Sequence, residues 1–450
     1  MFSRFDIFRC AILPSRFRWG LTTLLTAMVV GSGVAALLAA GASPAPAAEP
    51  ITIGLGMSLS GPLGANGKSA LLAMKIWAAD VNAKGGLLGR PVKLLYYDNQ
   101  SNASTVPGIY TKLLDVDKVN FVVSGYATNM IAPAMPIVMD HGKVFMGLFG
   151  LAVNKDFHYP KYFSMLPTGP HPEQAFTKGF FDIAMEQNPK PRTVAIVGAD
   201  ADFSIHAIDG ARENAKAAGL KIVYDQTYPP STVNFTPIVQ AIQATNPDIV
   251  VICSYPLDSV GMVHAIHELG YTPKMIGGTM VGLQTTSVKT DLGPDLNGIV
   301  DYDFWLPMKT MEFPGVMKLM KQYEAKAASE GVDPLGYYMA PWGYADLQVL
   351  GQAIEATKSL DDAKLADYMH KATFHTVVGD VKFGPEGEWT TSRVLQAQFH
   401  GISGHGLAQF RQAENVETIL TPSKYKTGTV IYPYSRARSS AAGKSASVGR

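Results

Sequence analysis

The chain is poor in cysteine, in net charge and in complete catalytic motifs, and each shortage closes off a class of protein. Only two cysteines occur, Cys10 and Cys253. Cys10 precedes an amino-terminal apolar run and would leave with it. Cys253, in the strand-like DIVVICSY, then has no partner, and no disulfide framework is expected. The formal net charge is +1, and no basic patch interleaved with aromatics occurs in the folded part, so nucleic acid is not an expected partner. Past residue 50 no apolar stretch is long enough to cross a bilayer. The ten histidines scatter singly apart from His264 and His267, which lie three apart on one helical face with no third ligand and no H-E-x-x-H. No metal and no cofactor is expected. Spacing yields no Ser-His-Asp set and no paired carboxylates, so no catalytic residue is assigned and the chain does not read as an enzyme.

Two motifs are nearly present. In SGPLGANGKSA, Gly67-Lys68-Ser69 matches the end of a P-loop, but the first glycine of G-x-x-x-x-G-K-[ST] falls on Pro62, which removes an N–H from the phosphate cradle. Gly61 is one residue too early, and direct ATP binding is not expected. Gly56-Met57-Ser58-Leu59 begins a nucleophile elbow but continues with Ser60 where glycine is required. What remains is a Gly-rich turn between a strand and a helix, with free N–H groups and a positive dipole end turned toward an anion.

What is present is substantial. A chain of 450 residues that is 47% hydrophobic can bury large cores and divides into more than one lobe. Arg4, Arg9, Arg16 and Arg18 precede the apolar run Leu21 to Ala40, and Ala45-Pro46-Ala47 then offers a small-x-small cleavage site. Residues 1–47 read as a signal peptide, with retention as a membrane anchor the alternative. At the other end SRARSSAAGKSASVGR is small, polar and basic, and 426–450 read as a flexible tail.

Between these ends apolar strands alternate with amphipathic helices, which implies an α/β fold of parallel sheets covered on both faces. ITIGLGM, PVKLLYYD, NFVVSGY and KVFMGLF read as strands, with helices near 67–83, 104–118 and 129–140. TVAIVGA, LKIVYDQ, PDIVVICSY and KMIGG form a second series, with helices near 204–218, 235–245 and 258–269. Helices near 313–330, 337–357 and 361–371 arrive after the second series is complete and should pack back on the first lobe. Lobe 1 is then 48–168 plus 303–375, and lobe 2 is 169–302 plus 376–425. The expected crossings lie near 165–172, 299–306 and 374–384, where Pro, Gly or Asp punctuates the chain. A hinge of several strands permits closure about one axis.

Four segments, LSGPLGANG, VNAKGGLLGRPVKLLYYDNQ, PDIVVICSYPLDSVGMVHAIHELG and VVGDVKFGPEGEW, carry a likeness spread from about residue 50 to 400. In that order, behind a signal peptide, the sequence resembles the periplasmic binding proteins of branched-chain amino acid ABC importers, the type I solute-binding fold. The resemblance implies two doubly wound lobes joined by a multi-crossing hinge. It also implies a periplasmic carrier that clamps a small solute, an amino acid or a related carboxylate or amide, and delivers it to the transmembrane subunits of a permease. Open parallel sheets bind ligands beyond the carboxyl ends of their strands. Here those loops are Ser60 to Gly67, which holds Asn66, then Tyr126 to Asn129, Phe149 to Ala152, and Asp202 to Phe203 with Tyr255.

By resemblance the ligand carboxylate meets Thr128 or Asn129, and Phe203 and Tyr255 cover the ligand. Leu151 stands where amino-acid binders of the family place a threonine, and Met280 stands where they place the carboxylate that meets the ammonium. Those two departures point away from a zwitterion and toward a less polar, aromatic acid or amide, with Asp202 as a replacement charge that keeps amino acids in play. The candidate ligand residues are therefore Ser60, Asn66, Thr128, Asn129, Phe149, Leu151, Phe203, Tyr255 and Met280. Thr128, Asn129 and Asp202 could equally serve as helix caps. Tyr337, Tyr338 and Trp342 at helical spacing read as core or inter-lobe packing. Two other functions fit the same sequence: a membrane-anchored sensor of this fold, and a secreted amide hydrolase.

Overall fold

The computed structural model describes residues 48–438. The expected signal peptide, with Cys10, and the last twelve residues of the expected tail lie outside them. Two sheets organise what is described. The first has the order β2-β1-β3-β4-β5 and is wholly parallel, built from β1 (Ile51–Met57), β2 (Val92–Asp98), β3 (Phe121–Tyr126), β4 (Phe145–Leu148) and β5 (Tyr162–Ser164). Its central strands β3 and β4 are buried along their whole length, which is why they read as unbroken apolar runs rather than alternating ones.

The second sheet runs β14-β13-β10-β9-β8-β6-β7. Its parallel part consists of β6 (Thr193–Ala199), β7 (Lys221–Tyr228), β8 (Ile249–Ser254), β9 (Met275–Met280) and β10 (Val300–Asp303). Two later strands, β13 (Leu395–Phe399) and β14 (Glu417–Thr421), extend it antiparallel. An antiparallel margin on a parallel sheet is common, since a strand added late in the chain needs no crossover helix. A small antiparallel hairpin, β11 (Phe374–Thr376) and β12 (Gly379–Val381), stands apart.

Helices depart from expectation in identifiable ways. The segment expected as one helix near 129–140 is split into Thr128–Ile131, a 3₁₀ turn at Ala132–Ala134, and Met135–Asp140, because Pro133 and Pro136 each remove an N–H. The helix near 104–118 likewise changes pitch, from 3₁₀ through α to a π turn at Lys112–Val116. An unforeseen helix, Pro172–Met185, opens on its proline and buries Phe176, Phe180 and Phe181. Helices Val316–Glu330 and Ala340–Thr357 pack against Gly64–Asn82, on the first sheet.

The sheets are joined by three passes of chain that lie side by side. Ser164 N–H donates to Gly387 O (2.9 Å), Arg393 N–H to Pro167 O (2.7 Å), and Trp389 Nε1 to Ser164 O (3.0 Å). The third pass therefore runs along 387–394, after the hairpin, later than the 374–384 suggested by punctuation. Gly169 makes the approach possible: its φ is +79° and a Cβ there would sit 2.7 Å from the Ser392 nitrogen. Residues beyond 426 do not all hang free, for Tyr434 and Ala437 are buried and Tyr434 N–H donates to Lys274 O (2.9 Å).

Candidate functional site

The Gly-rich turn that resembled a P-loop is explained by packing. A Cβ on Gly67 would lie 1.9 Å from the Ser58 carbonyl oxygen, so only glycine lets the Gly64–Asn82 helix begin against the end of β1. Asp98 ties the turn down by accepting from Leu59 N–H (2.9 Å), Ser60 Oγ (2.6 Å) and Gln100 N–H (2.8 Å). Partial burial pushes the Asp98 carboxyl up, but these hydrogen bonds outweigh it and hold the group below its ordinary range.

Past that turn the carboxyl ends of both sheets face one another across a small pocket. The first sheet contributes Tyr126, Ala127 and Thr128 after β3, Phe149 after β4 and Leu166 after β5. The second contributes Phe203 after β6, Tyr255 after β8 and Val281 after β9. Tyr302 comes from β10 and Phe304 from the crossing just after it, Phe176 from the helix that follows the first crossing, and Tyr338 from just before Ala340–Thr357. Eight of the thirteen lining residues are aromatic and none carries a charge.

The rings meet edge to face or tilted, the arrangement their quadrupoles favour. Phe149 lies 4.8 Å from Phe304 and 5.5 Å from Tyr338, while Phe176 lies 4.7 Å from Tyr302 and 5.5 Å from Phe203. Three phenols bond each other: Tyr338 Oη is 2.9 Å from Tyr302 Oη and 3.3 Å from Tyr126 Oη. Burial pushes the Tyr126 phenol up to about 12, so it stays neutral and able to donate. The space left among the rings is about 20 Å³, room for one water molecule. Outside it lies a vestibule of about 180 Å³, and Leu63 and Tyr255 line both.

Backbone strain gathers here. Ala127, Phe149 and Ala152 have φ of +87°, +65° and +55°, in the two loops that close the first-sheet side. Side chains other than glycine hold such angles only where the surroundings over-determine them, and such residues concentrate at binding sites.

Of the residues expected at the site, Thr128, Phe149, Phe203 and Tyr255 are brought together in the pocket. Tyr255 Oη also accepts from Phe203 N–H (3.2 Å), which fixes one ring on the other. Asn129 lines the vestibule with a buried Oδ1 that has no hydrogen-bond partner. Asn66 is buried beside the Tyr126 phenol, its amide forming no hydrogen bond of ordinary geometry.

Ser60 is placed elsewhere: it is exposed and spent on Asp98. Leu151 is fully buried, and its N–H donates to Thr128 Oγ1 (3.0 Å), so it orients the threonine without lining the pocket. Met280 points into the core on the outer side of the second sheet, and its N–H donates to Asp301 Oδ1 (2.9 Å). Met280 falls outside because successive residues at a strand end face opposite ways, and its neighbour Val281 holds the inward position. Asp202 is exposed and lines neither compartment. Tyr338, read from the sequence as packing, lines the pocket, as do Phe176, Tyr302 and Phe304. The YDFW run in the second crossing was the available signal for two of these.

Buried charge lies nearby but not in the pocket. Asp301 is fully buried, accepts also from Gln284 Nε2 (3.1 Å), and is pushed well above its ordinary pKa by burial. Lys289 and Glu417 form a buried ion pair in the second lobe. Asp346 and Glu388, both buried near Tyr162, have no hydrogen-bond partner for either oxygen, and burial raises each to about 8. Cys253 is buried, and burial lifts its thiol to about 12. Among the described residues no cluster of three or more His, Cys, Asp or Glu side chains is placed to hold a metal.

Residues 50–400 match the model of a family described as periplasmic binding protein. The Leu/Ile/Val-binding protein homolog 8 of Brucella suis is 25% identical over 315 residues, 68% of this chain and 77% of that protein. Among solved structures, the branched-chain amino acid transporter substrate-binding protein LivJ of Streptococcus pneumoniae, in complex with isoleucine, superposes with a TM-score of 0.68 at 16% identity, covering 83% of this chain and all of the other. A solute-binding protein of an ABC transporter from Rhodopseudomonas palustris HaA2, in complex with p-hydroxybenzoic acid, gives 0.67 at 18% identity, covering 86% and 98%. These structural likenesses show the fold.

Proposed function

The chain belongs to the periplasmic binding protein family, and from that premise we propose that it is the solute-binding protein of an ABC importer of the branched-chain amino acid type. It captures a small aromatic carboxylate or amide between its two lobes, in the periplasm, and hands it unchanged to a membrane permease. In this reading residues 1–47 are removed as a signal peptide. The lobes are 48–168 with 303–386 and 169–302 with 395–425, the third boundary lying at the pass along 387–394.

The observation that carries the proposal is the pocket itself: strand-end loops of both sheets close on one space ringed by aromatic side chains without a charge. A free amino acid would bring an ammonium that meets no carboxylate there, and an uncompensated buried charge costs several kcal/mol. An aromatic acid suits the rings, and its carboxylate can take protons in hydrogen bonds from Tyr126, Tyr302, Tyr338 and Thr128. The ligand of the Rhodopseudomonas protein is of this kind. With room for only one water, the rings must part to admit any such solute. Ligand therefore selects between open and closed forms by its differential affinity for them.

Thermal shift over aromatic hydroxy acids, branched-chain amino acids and small amides tests this. A ligand at a hundred times its dissociation constant should add about 2.7 kcal/mol, and aromatic acids should give the largest shift. Phe203→Ala and Tyr255→Ala should each weaken the best ligand several-fold, and the ligand should be recovered unchanged. Larger shifts from leucine, isoleucine or valine would overturn the ligand class. Affinity that survives both substitutions would overturn the site.

A further inference from the structure

Trp342 packs against two rings of the cleft pocket, Phe149 (5.3 Å) and Phe304 (6.0 Å), and also against the guanidinium of Arg393 (5.5 Å). Arg393 ends the third pass between the lobes. Its guanidinium lies 4.8 Å from the Trp389 ring and 5.1 Å from that of Phe313, and the residue is only 7% exposed. Nε and Nη2 are buried and hydrogen-bond to nothing. Aromatic faces stabilise such a cation but supply no negative charge. Burial lowers the Arg393 pKa to about 10, opposed by the charge and hydrogen bond of the Tyr425 phenol and by the charge of Asp380. Asp380 is itself engaged with His375 Nδ1 at 2.7 Å.

Arg393 lines an open groove of about 570 Å³. A Cβ on Gly379, which lines that groove at φ +86°, would come within 3.1 Å of Nη1, so a side chain there would crowd the guanidinium. Lys382 and Lys424, both exposed, and the hydroxyl residues Thr390 and Ser392 line the same groove. Three cations thus face one carboxylate, Asp380. A buried cation without a counter-ion is costly, and a guanidinium held rigidly by stacking is matched to oxyanions.

We propose that this groove is a second binding site, for a small multivalent oxyanion, inorganic phosphate or a compact polycarboxylate, which supplies the counter-charge that Arg393 lacks. Its walls come from the hairpin β11–β12 and from the segment after β14, so the occupant touches chain on both sides of the hinge. The site does not depend on what the cleft binds.

Calorimetric titration of the ligand-free protein with phosphate and with citrate, against sodium chloride at matched ionic strength, tests it and tells the two sources apart. Saturable binding of phosphate or citrate, and none of chloride, is expected. Arg393→Met should weaken that binding at least tenfold and Lys424→Ala several-fold. Lys424 is exposed, so its variant keeps the test intact even if Arg393→Met fails to fold. No saturable signal beyond chloride, or equal affinity in the wild type and Lys424→Ala, overturns the proposal. Either result leaves the cleft reading to its own ligand screen.

Discussion

The cleft pocket and the hinge groove are both bordered by the ring cluster around Trp342, yet they treat polar atoms in opposite ways. In the pocket the phenols of Tyr126, Tyr302 and Tyr338 bond one another, and the rings leave about 20 Å³. In the groove a guanidinium has two nitrogens without partners beside about 570 Å³ of open space. The contrast teaches that size and polarity are linked through satisfaction. A site whose polar groups bond each other collapses to an apolar contact, while one with an unanswered charge stays open to solvent and ions.

The contrast can be broken most forcefully at Phe149, whose ring touches both Tyr338 and Trp342. Phe149→Ala should cost about 3–5 kcal/mol in urea unfolding and let the two compartments communicate. A loss under about 1 kcal/mol would mean that the ring cluster is not close-packed. Next in size is Tyr338→Phe, which leaves the hydroxyls of Tyr126 and Tyr302 buried without their common partner. It should destabilise by about 1–3 kcal/mol, whereas a water entering the gap would keep the loss below that.

A third test uses pH. Asp346 and Glu388 have pKa values of about 8, raised from 3.8 and 4.5 by burial, so both are neutral in the folded protein at acid and neutral pH. A raised folded-state pKa means that the folded chain binds more protons than the unfolded chain between the two values. The contribution is whole below about pH 4 and is lost as pH rises through about 8. The melting temperature should therefore fall between about pH 4 and 8, and Asp346→Asn should flatten that fall. An unchanged slope in the variant would show that Asp346 is not the group responsible. The smallest effect is expected at Arg212, which pairs with Asp225 (2.9 Å) and Asp209 (2.8 Å) at the surface and lines neither compartment. Arg212→Ala should cost less than about 1 kcal/mol, and less again in high salt.

Much of the scaffold was legible in the sequence, and the reason shows in particular strands. Ile51–Met57 and Thr193–Ala199 stand where their apolar runs begin and end, because Pro, Gly and Asp punctuate them on both sides. β5 is three residues long and β14 five, too short for a periodic signal, and the Pro172–Met185 helix starts in a stretch that its prolines marked as a crossing. The candidate pocket was legible only where it hangs directly on a strand end, as at Thr128, Phe149, Phe203 and Tyr255. Tyr338, Tyr302 and Phe176 arrive from distant parts of the chain. A buried ring has the same spacing in sequence whether it faces a core or a cavity.

Leu63 and Tyr255, which stand between the inner space and the vestibule, also bear on timing. Under the proposed function, a solute held behind them leaves only when the lobes swing apart, so its dwell time would follow how often the hinge opens more than how tightly the rings grip. Substitutions that loosen the three-strand joint would then shorten residence without touching a single contact to the cargo.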